Sequence, residues 1–280
     1  MGIRRRPGQK SPPILSHEFI IQNHADIVSC VAMVFIVGLM CQFSAPFASL
    51  FVAMQHNHVP PTEEELQEEP AAEFPQLYTY GVKDLCAIFF YFLICIVMHA
   101  VIQEYVLDRL NRRMHLSKVK HSKFNESGQL LAFYTVSVIW GIDIILREKY
   151  AHYIGVLWEG YPHNLMPFVI KFFFIVQLAY WLHVFPELYF QKTKREEMAA
   201  KVQYGLLYLL FIGTAYILNF TRVALCLTVL HYLVEGIFHF SRLMYFSDKN
   251  DVANVGFMIW DVLFVLVRLG TITLSVLTFW

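Results

Sequence analysis

His231, Glu235 and His239 recur every four residues, so any helix that carries them presents two imidazoles and a carboxylate on one face. Such a face can ligate a metal, relay a proton or bury an ion pair. A metal centre needs further ligands, and the sequence nominates none. The expectation is therefore no metal and no cofactor. Partners for an ion pair are at hand, because Arg242, Asp261, Arg268, Asp143 and Lys171 all lie in or beside apolar stretches. At 1.5 Å per residue, Glu235 sits about 18 Å and Arg268 about 20 Å from opposite ends of consecutive antiparallel segments, both near the middle. A charge stranded in hydrocarbon is costly, so the depths predict a Glu235–Arg268 pair, with Arg242–Asp261 and Asp143–Lys171 as further pairs.

A second polar face comes from Gln177, Tyr180, Val184 and Glu187, with His183 pointing elsewhere and Pro186 expected to kink the segment. That face either lines a groove or packs. As a hypothesis, Gln177, Tyr180, Glu187, His231 and Glu235 line a substrate groove. For covalent chemistry the sequence offers no G-x-S-x-G elbow, no exposed Ser-His-Asp order and no phosphate-cradling loop, and its 13 glycines are scattered. No catalytic residue is nominated, and no enzymatic activity is expected.

The elements that must position these groups are membrane helices. Hydrophobic residues make up 57% of the chain, and the mean hydropathy of +0.47 is above that of a soluble domain. Seven apolar stretches, near 26–51, 84–107, 129–146, 165–189, 204–219, 223–246 and 255–279, each approach the roughly 20 residues a helix needs to cross a bilayer. The fold class is thus all-α, a polytopic bundle of about seven spans. Sixteen of the 22 Lys and Arg residues fall in the N-terminal tail and every second loop. The positive-inside rule then places the N-terminus in the cytosol. Net charge is zero, which hides this asymmetry. All five cysteines lie within spans and read as small apolar residues.

Residues 1–25 read as a cytosolic basic tail leading into a retained signal anchor, and 26–107 as two spans joined by an acidic loop, 55–83, with little or no structure. Six basic residues between Asp108 and Ser127 suit anionic lipid headgroups or serve as a topological anchor; no nucleic acid is expected as a partner. Of two glycosylation sequons, Asn125 falls on the cytosolic side and Asn219 in a loop too tight for a glycosyltransferase, so little or no glycan is expected.

Four stretches, SHEFIIQNHADIVSC from Ser16, HAVIQEY from His99, SKVKHSKFNESGQ from Ser117 and QLAYWLHVFPELYFQK from Gln177, closely resemble the translocating chain-associated membrane protein (TRAM) family. The resemblance implies a multi-pass endoplasmic reticulum membrane protein with a TLC-like domain over 117–280, preceded by a TRAM-type pair of spans. It implies further that the protein assists the translocation or membrane insertion of nascent secretory and membrane proteins. The implied partners are the Sec protein-conducting channel, nascent polypeptides with their signal sequences, and membrane lipids. Members of the family have one further span and a charged tail, so the chain reads as shortened at its C-terminus. TLC domains also occur in ceramide synthases, whose pattern over the fifth and sixth spans has adjacent histidines, then Arg, then His-Asp with a second Asp three residues on. This resemblance makes a lipid-binding or lipid-modifying protein the alternative. Set against that pattern through Arg222 and His231, Tyr204 and Gly205 stand where paired histidines belong, with Tyr232 and Glu235 at the two acidic positions. Neither Tyr204 nor Gly205 replaces an imidazole base at neutral pH.

Overall fold

The computed structural model describes residues 16–58 and 76–279. The basic residues Arg4 to Lys10 and the acidic run Glu63 to Glu73 lie outside them.

The first helix, α1 (His17–Met40), begins where the Ser16 hydroxyl accepts a hydrogen bond from the Phe19 amide at 3.2 Å. It ends well before the expected Phe51. Pro46 has no amide hydrogen and would clash with the carbonyl four residues back, so the chain turns through 41–44 and restarts as α2 (Ala45–Val52) with the proline in its first turn. Helix α3 (Asp84–Ile102) continues through one wide π turn (Gln103–Leu107) into α4 (Asp108–Met114), and stops at His115 in a left-handed conformation (φ 52°). The basic segment after it is not a loop. Ser117 caps α5 (Lys118–Arg147), which starts eleven residues before the expected Gln129 and carries the lysines up out of the apolar zone.

Then follow α6 (Phe168–Phe190), α7 (Arg195–Ile217), α8 (Thr221–Phe246) and α9 (Asn250–Phe279). Pro186 is accommodated inside α6. Seven helices of the described residues are long and apolar enough to cross a membrane. The protein is all-α and multi-pass. Its helices overrun the apolar stretches because the flanking charged residues are good helix formers that reach into the headgroup layer.

Alternating helix direction gives the bundle two ends. The basic end gathers the start of α1, α5, α7 and α9 with the finish of α4, α6 and α8. At the opposite end the described edges of the long loop carry two short strands, where little or no structure was expected, while the acidic run between them lies outside the described residues. Strand β1 (Asn57–His58) pairs antiparallel with β2 (Leu77–Tyr78), which pairs antiparallel with β3 (Met166–Pro167). This small sheet covers the entrance of α6.

Helix α6 forms the axis: Phe173, Phe174, Ile175 and Trp181 are essentially unexposed among Tyr134, Ile144, Leu225 and Tyr232 of α5 and α8. Close approaches at glycine set the packing. A side chain at Gly141 would meet Val229 Cγ2 at 2.2 Å, and one at Gly256 would meet Ser241 Oγ at 2.2 Å. Helices α1 and α9 lie at the periphery and turn Val, Ile, Leu and Met side chains outward, as lipid-facing helices do.

Candidate functional site

A cavity of about 370 Å³ opens between α3, α5, α6, α7 and α8 in the half of the bundle nearer the basic end. Its apolar wall includes Leu130, Trp181, Val184, Leu188 and Phe238; its polar groups are His99, Glu126, Gln129, His183, Glu187, Lys201, Tyr204, Glu235 and His239. A wider vestibule of about 630 Å³ shares His99, Glu126, Glu187, Gln191 and Lys201 with the cavity and adds Lys123, Lys192 and Lys194 at the basic end. Together they form a path from the basic surface to the depth of Glu235.

Where the two spaces meet, three helices, α3, α5 and α6, place a compact polar cluster. His99 of α3 has its Nε2 3.2 Å from Glu187 Oε1 and its Nδ1 3.4 Å from His183 Nε2. Gln191 donates to the same Glu187 oxygen at 3.1 Å, and Gln129 holds the α3 backbone by donating to the His99 carbonyl at 2.9 Å. His183 Nδ1 binds the Tyr180 carbonyl one turn earlier. Glu187 Oε2 and His239 Nδ1, on two residues that line the cavity, are buried with no protein partner. At the mouth, Lys123 and Lys201 cross-link α5 to α7 through Glu126 and Glu197, at 3.1 to 3.7 Å.

Of the residues expected to line a groove, Tyr180, Glu187 and Glu235 do so. Gln177 does not. It is 1% exposed and belongs to a core chain in which Trp181 Nε1 donates to Tyr232 at 2.7 Å, Tyr232 to Gln177 Oε1 at 3.1 Å, and Gln177 Nε2 to Ser137 at 3.0 Å. His231 lies behind the wall, bonded to Tyr208, and its nearest carboxylate is Glu235 at 3.9 Å. His183, expected to point elsewhere, faces the cavity, because the opening lies on the α3 side of α6. The spacing of His231, Glu235 and His239 puts them on one face, but their side chains part: the first turns to α7, and the last lies beside the Tyr134 ring of α5, centroids 5.8 Å apart. Sequence reasoning missed His99, a lone imidazole in an apolar run whose importance depends on contacts with α6.

The expected ion pairs have other partners. Asp143 binds Arg147 one turn on, at 2.9 Å, and Lys171 binds Asp84 at 2.8 Å. Among the described residues no carboxylate lies within 4 Å of Arg268 or Arg242; Arg268 lies over the Phe264 ring and Arg242 over Phe238 and Phe246. The reason is register. The Ser241–Gly256 and Phe238–Trp260 contacts place Glu235 level with residue 262, which leaves Arg268 about six residues, or about 9 Å, farther from the basic end. The same offset separates Arg242 from Asp261.

At the sheet end Arg222 lies over the Tyr150 ring and donates to the Val156 carbonyl at 2.9 Å. Burial pushes the Tyr150 hydroxyl up to about 12, against the opposing pull of that guanidinium. Asn219 is buried, with φ 62°, and donates its amide to Asn164 at 3.0 Å.

In place of paired histidines, Tyr204 forms a hydroxyl chain with Tyr134 at 3.2 Å and Tyr208 at 3.1 Å, while Gly205 packs against Phe185. Neutral phenols donate and accept hydrogen bonds and do not act as bases at neutral pH.

Residues 123–280 match the TLC domain family. The chain is 47% identical to human translocating chain-associated membrane protein 2 over 277 residues, which is 99% of the chain and 72% of that protein. The mouse protein of the same name is 48% identical over 278 residues, with the same shares. A ceramide synthase of Gibberella moniliformis is 25% identical over 195 residues, 69% of the chain and 45% of that enzyme. On these matches the chain belongs to the translocating chain-associated membrane protein family of TLC-domain membrane proteins.

Proposed function

We propose that this protein is a non-enzymatic accessory of the endoplasmic reticulum translocon, assisting the translocation or membrane insertion of nascent secretory and membrane proteins. Its N-terminus and basic end face the cytosol and its small sheet faces the lumen, in accord with the distribution of Lys and Arg. The observation that carries the reading is the path from the basic end to Glu235, because it brings carboxylates, imidazoles and phenols to a depth that is otherwise hydrocarbon. A segment leaving the Sec channel must shed water from each polar group it carries, at a cost of several kcal/mol for a charge. Temporary partners inside a neighbouring bundle lower that barrier. Kinship with proteins named for association with translocating chains supports the reading.

The test is a photo-crosslinker placed in the signal sequence of a ribosome-bound nascent chain. It should label this protein during translocation, and it should label the edge of the cavity, near Tyr204 and Val184, above the outer face of α1. Labelling of the Sec channel alone would overturn the proposal.

The second reading, a lipid-modifying enzyme, draws on the ceramide synthase similarity. Against it stands the Tyr134–Tyr204–Tyr208 hydroxyl chain where a base is required. Purified protein given acyl-CoA and long-chain bases should form no amide, and turnover above that of protein-free detergent would reverse the assignment.

A further inference from the structure

Glu235 stands near the middle of α8, about 17 Å from its basic end and about 21 Å from its sheet end by residue count. Among the described residues its carboxylate accepts no hydrogen bond, and the only basic atom within 4 Å is His231 Nε2, at 3.9 Å. That nitrogen is already held by the Tyr208 hydroxyl. Its side chain keeps 15% exposure and lines the cavity, so the carboxylate is open to an occupant, whereas Glu187 Oε2 is sealed in. An unpartnered carboxylate at that depth is costly until something donates to it.

The other ionisable groups of the cavity leave that donor role open. Lys201 is taken near the mouth, by Glu126 at 3.1 Å and Glu197 at 3.7 Å. His99 and His183 bond to each other, and beyond themselves to Glu187 and the Tyr180 carbonyl. Glu126, Glu187 and Glu235 thus set three carboxylates against one committed lysine, and a space lined in this way favours a cation. Around Glu235 the wall is apolar. Phe238 follows it at three residues on the same face of α8, and Trp181, Val184 and Leu188 of α6 complete the lining.

We infer that the cavity selects nascent segments by charge: it takes the side chain of a lysine or arginine carried within an apolar segment, with the Glu235 carboxylate as acceptor, and disfavours an acidic side chain there. The inference rests on the accessory role proposed above and names what that site recognises. Lysine and arginine carry both parts the cavity asks for, a methylene stem to lie on the apolar wall and a charged donor for Glu235. An acidic side chain in the same place meets Glu235 and Glu187 with like charge, which excludes it without any further contact.

The experiment uses the full chain reconstituted with the Sec channel, and ribosome-bound nascent chains whose apolar segment carries one Lys, one Glu or one Leu at its centre with a photo-crosslinker beside it. The Lys segment should label this protein about tenfold more than the Glu segment, the scale of one charge-assisted hydrogen bond. That ratio is the readout, so a general loss of binding does not imitate the effect. Glu235→Gln should bring the ratio close to one, and labelling by the Leu segment reports that a variant is folded. Glu235→Asp, which draws the carboxylate back by one methylene, serves as a second variant and should narrow the preference. No labelling by any segment overturns the accessory role together with this inference. Equal labelling by the Lys and Glu segments in the unaltered protein leaves that role standing and overturns the inference alone. So does an undiminished preference in Glu235→Gln, or in Glu235→Asp where the first variant does not fold.

Discussion

Lys171 and Asp84 form an ion pair at 2.8 Å in which the lysine has no solvent exposure. Lys171 also donates to the Gln55 and Thr79 carbonyls at 2.8 and 2.7 Å. Asp84 in turn accepts from the Gly81 amide at 2.9 Å and the Tyr216 hydroxyl at 2.8 Å. One pair thus ties α3, α6 and α7 to both edges of the long loop. Removing one member leaves a buried charge without its partner, which costs about 3–5 kcal/mol. Lys171→Met and Asp84→Leu should each lower the unfolding temperature in detergent sharply, and the double replacement should recover much of the loss. Losses that simply add would show that the two do not act as a pair.

The core chain from Trp181 through Tyr232 and Gln177 to Ser137 makes a second prediction. Tyr232→Phe deletes one oxygen and leaves both the Trp181 N–H and the Gln177 carbonyl oxygen buried without partners. The expected loss is about 1–3 kcal/mol. Gln177→Leu alone should cost a similar amount, and the two together less than their sum, because each removes the other's partner. Additive thermal unfolding data from the two single variants and the double would count against a shared network.

Much of this architecture could be read from residue order. Hydropathy located all seven crossing helices, since an apolar run of sufficient length has few alternatives. The helix ends were less legible. Ser16 and Ser117 are good N-caps, yet they lie outside the apolar runs that drew attention. Partner choice was least legible of all. Lys171 meets Asp84 only because a loop remote in sequence folds over the end of α6, and Glu235 misses Arg268 because Gly256 and Ser241 fix the α8–α9 register. Such contacts depend on offsets of a few residues between elements, and a list of charges at similar depths does not contain them.

That register supplies a third prediction. Any side chain at Gly256 begins 2.2 Å from Ser241 Oγ and 3.1 Å from its Cβ, in a place where α8 and α9 are held together. Gly256→Leu should push α9 away at a cost of about 1–3 kcal/mol, as overpacking does. Gly256→Ala with Ser241→Ala should cost much less than Gly256→Ala alone, because the clashing oxygen is gone and only the 3.1 Å approach to the Cβ of residue 241 remains. Paired cysteines at Phe238 and Trp260, whose rings lie 4.9 Å apart, report the approach directly. Undiminished crosslinking in Gly256→Leu would mean the glycine does not set the spacing.

The loop between α5 and α6 should loosen in acid. His163 is buried there, its Nε2 bonded to the Glu159 carbonyl at 3.0 Å and its Nδ1 without a partner. The carbonyl bond requires a proton on Nε2, so the second proton must go to the buried Nδ1. Burial holds the pKa of His163 below the usual histidine value, and the charge of Arg222 adds to that, outweighing the help of backbone hydrogen bonding with Glu159 and Asn219. Between the lowered folded value and the unfolded value of about 6.5, the unfolded chain binds more protons, so stability rises with pH. It is complete above about 6.5 and is lost as pH falls toward the folded value. Amide exchange across Glu148–Leu165, corrected for intrinsic rates, should accelerate between about pH 7.5 and 5.5 in the native protein. In His163→Leu the acceleration should disappear; the same pH dependence in both proteins would show that another group controls the loop.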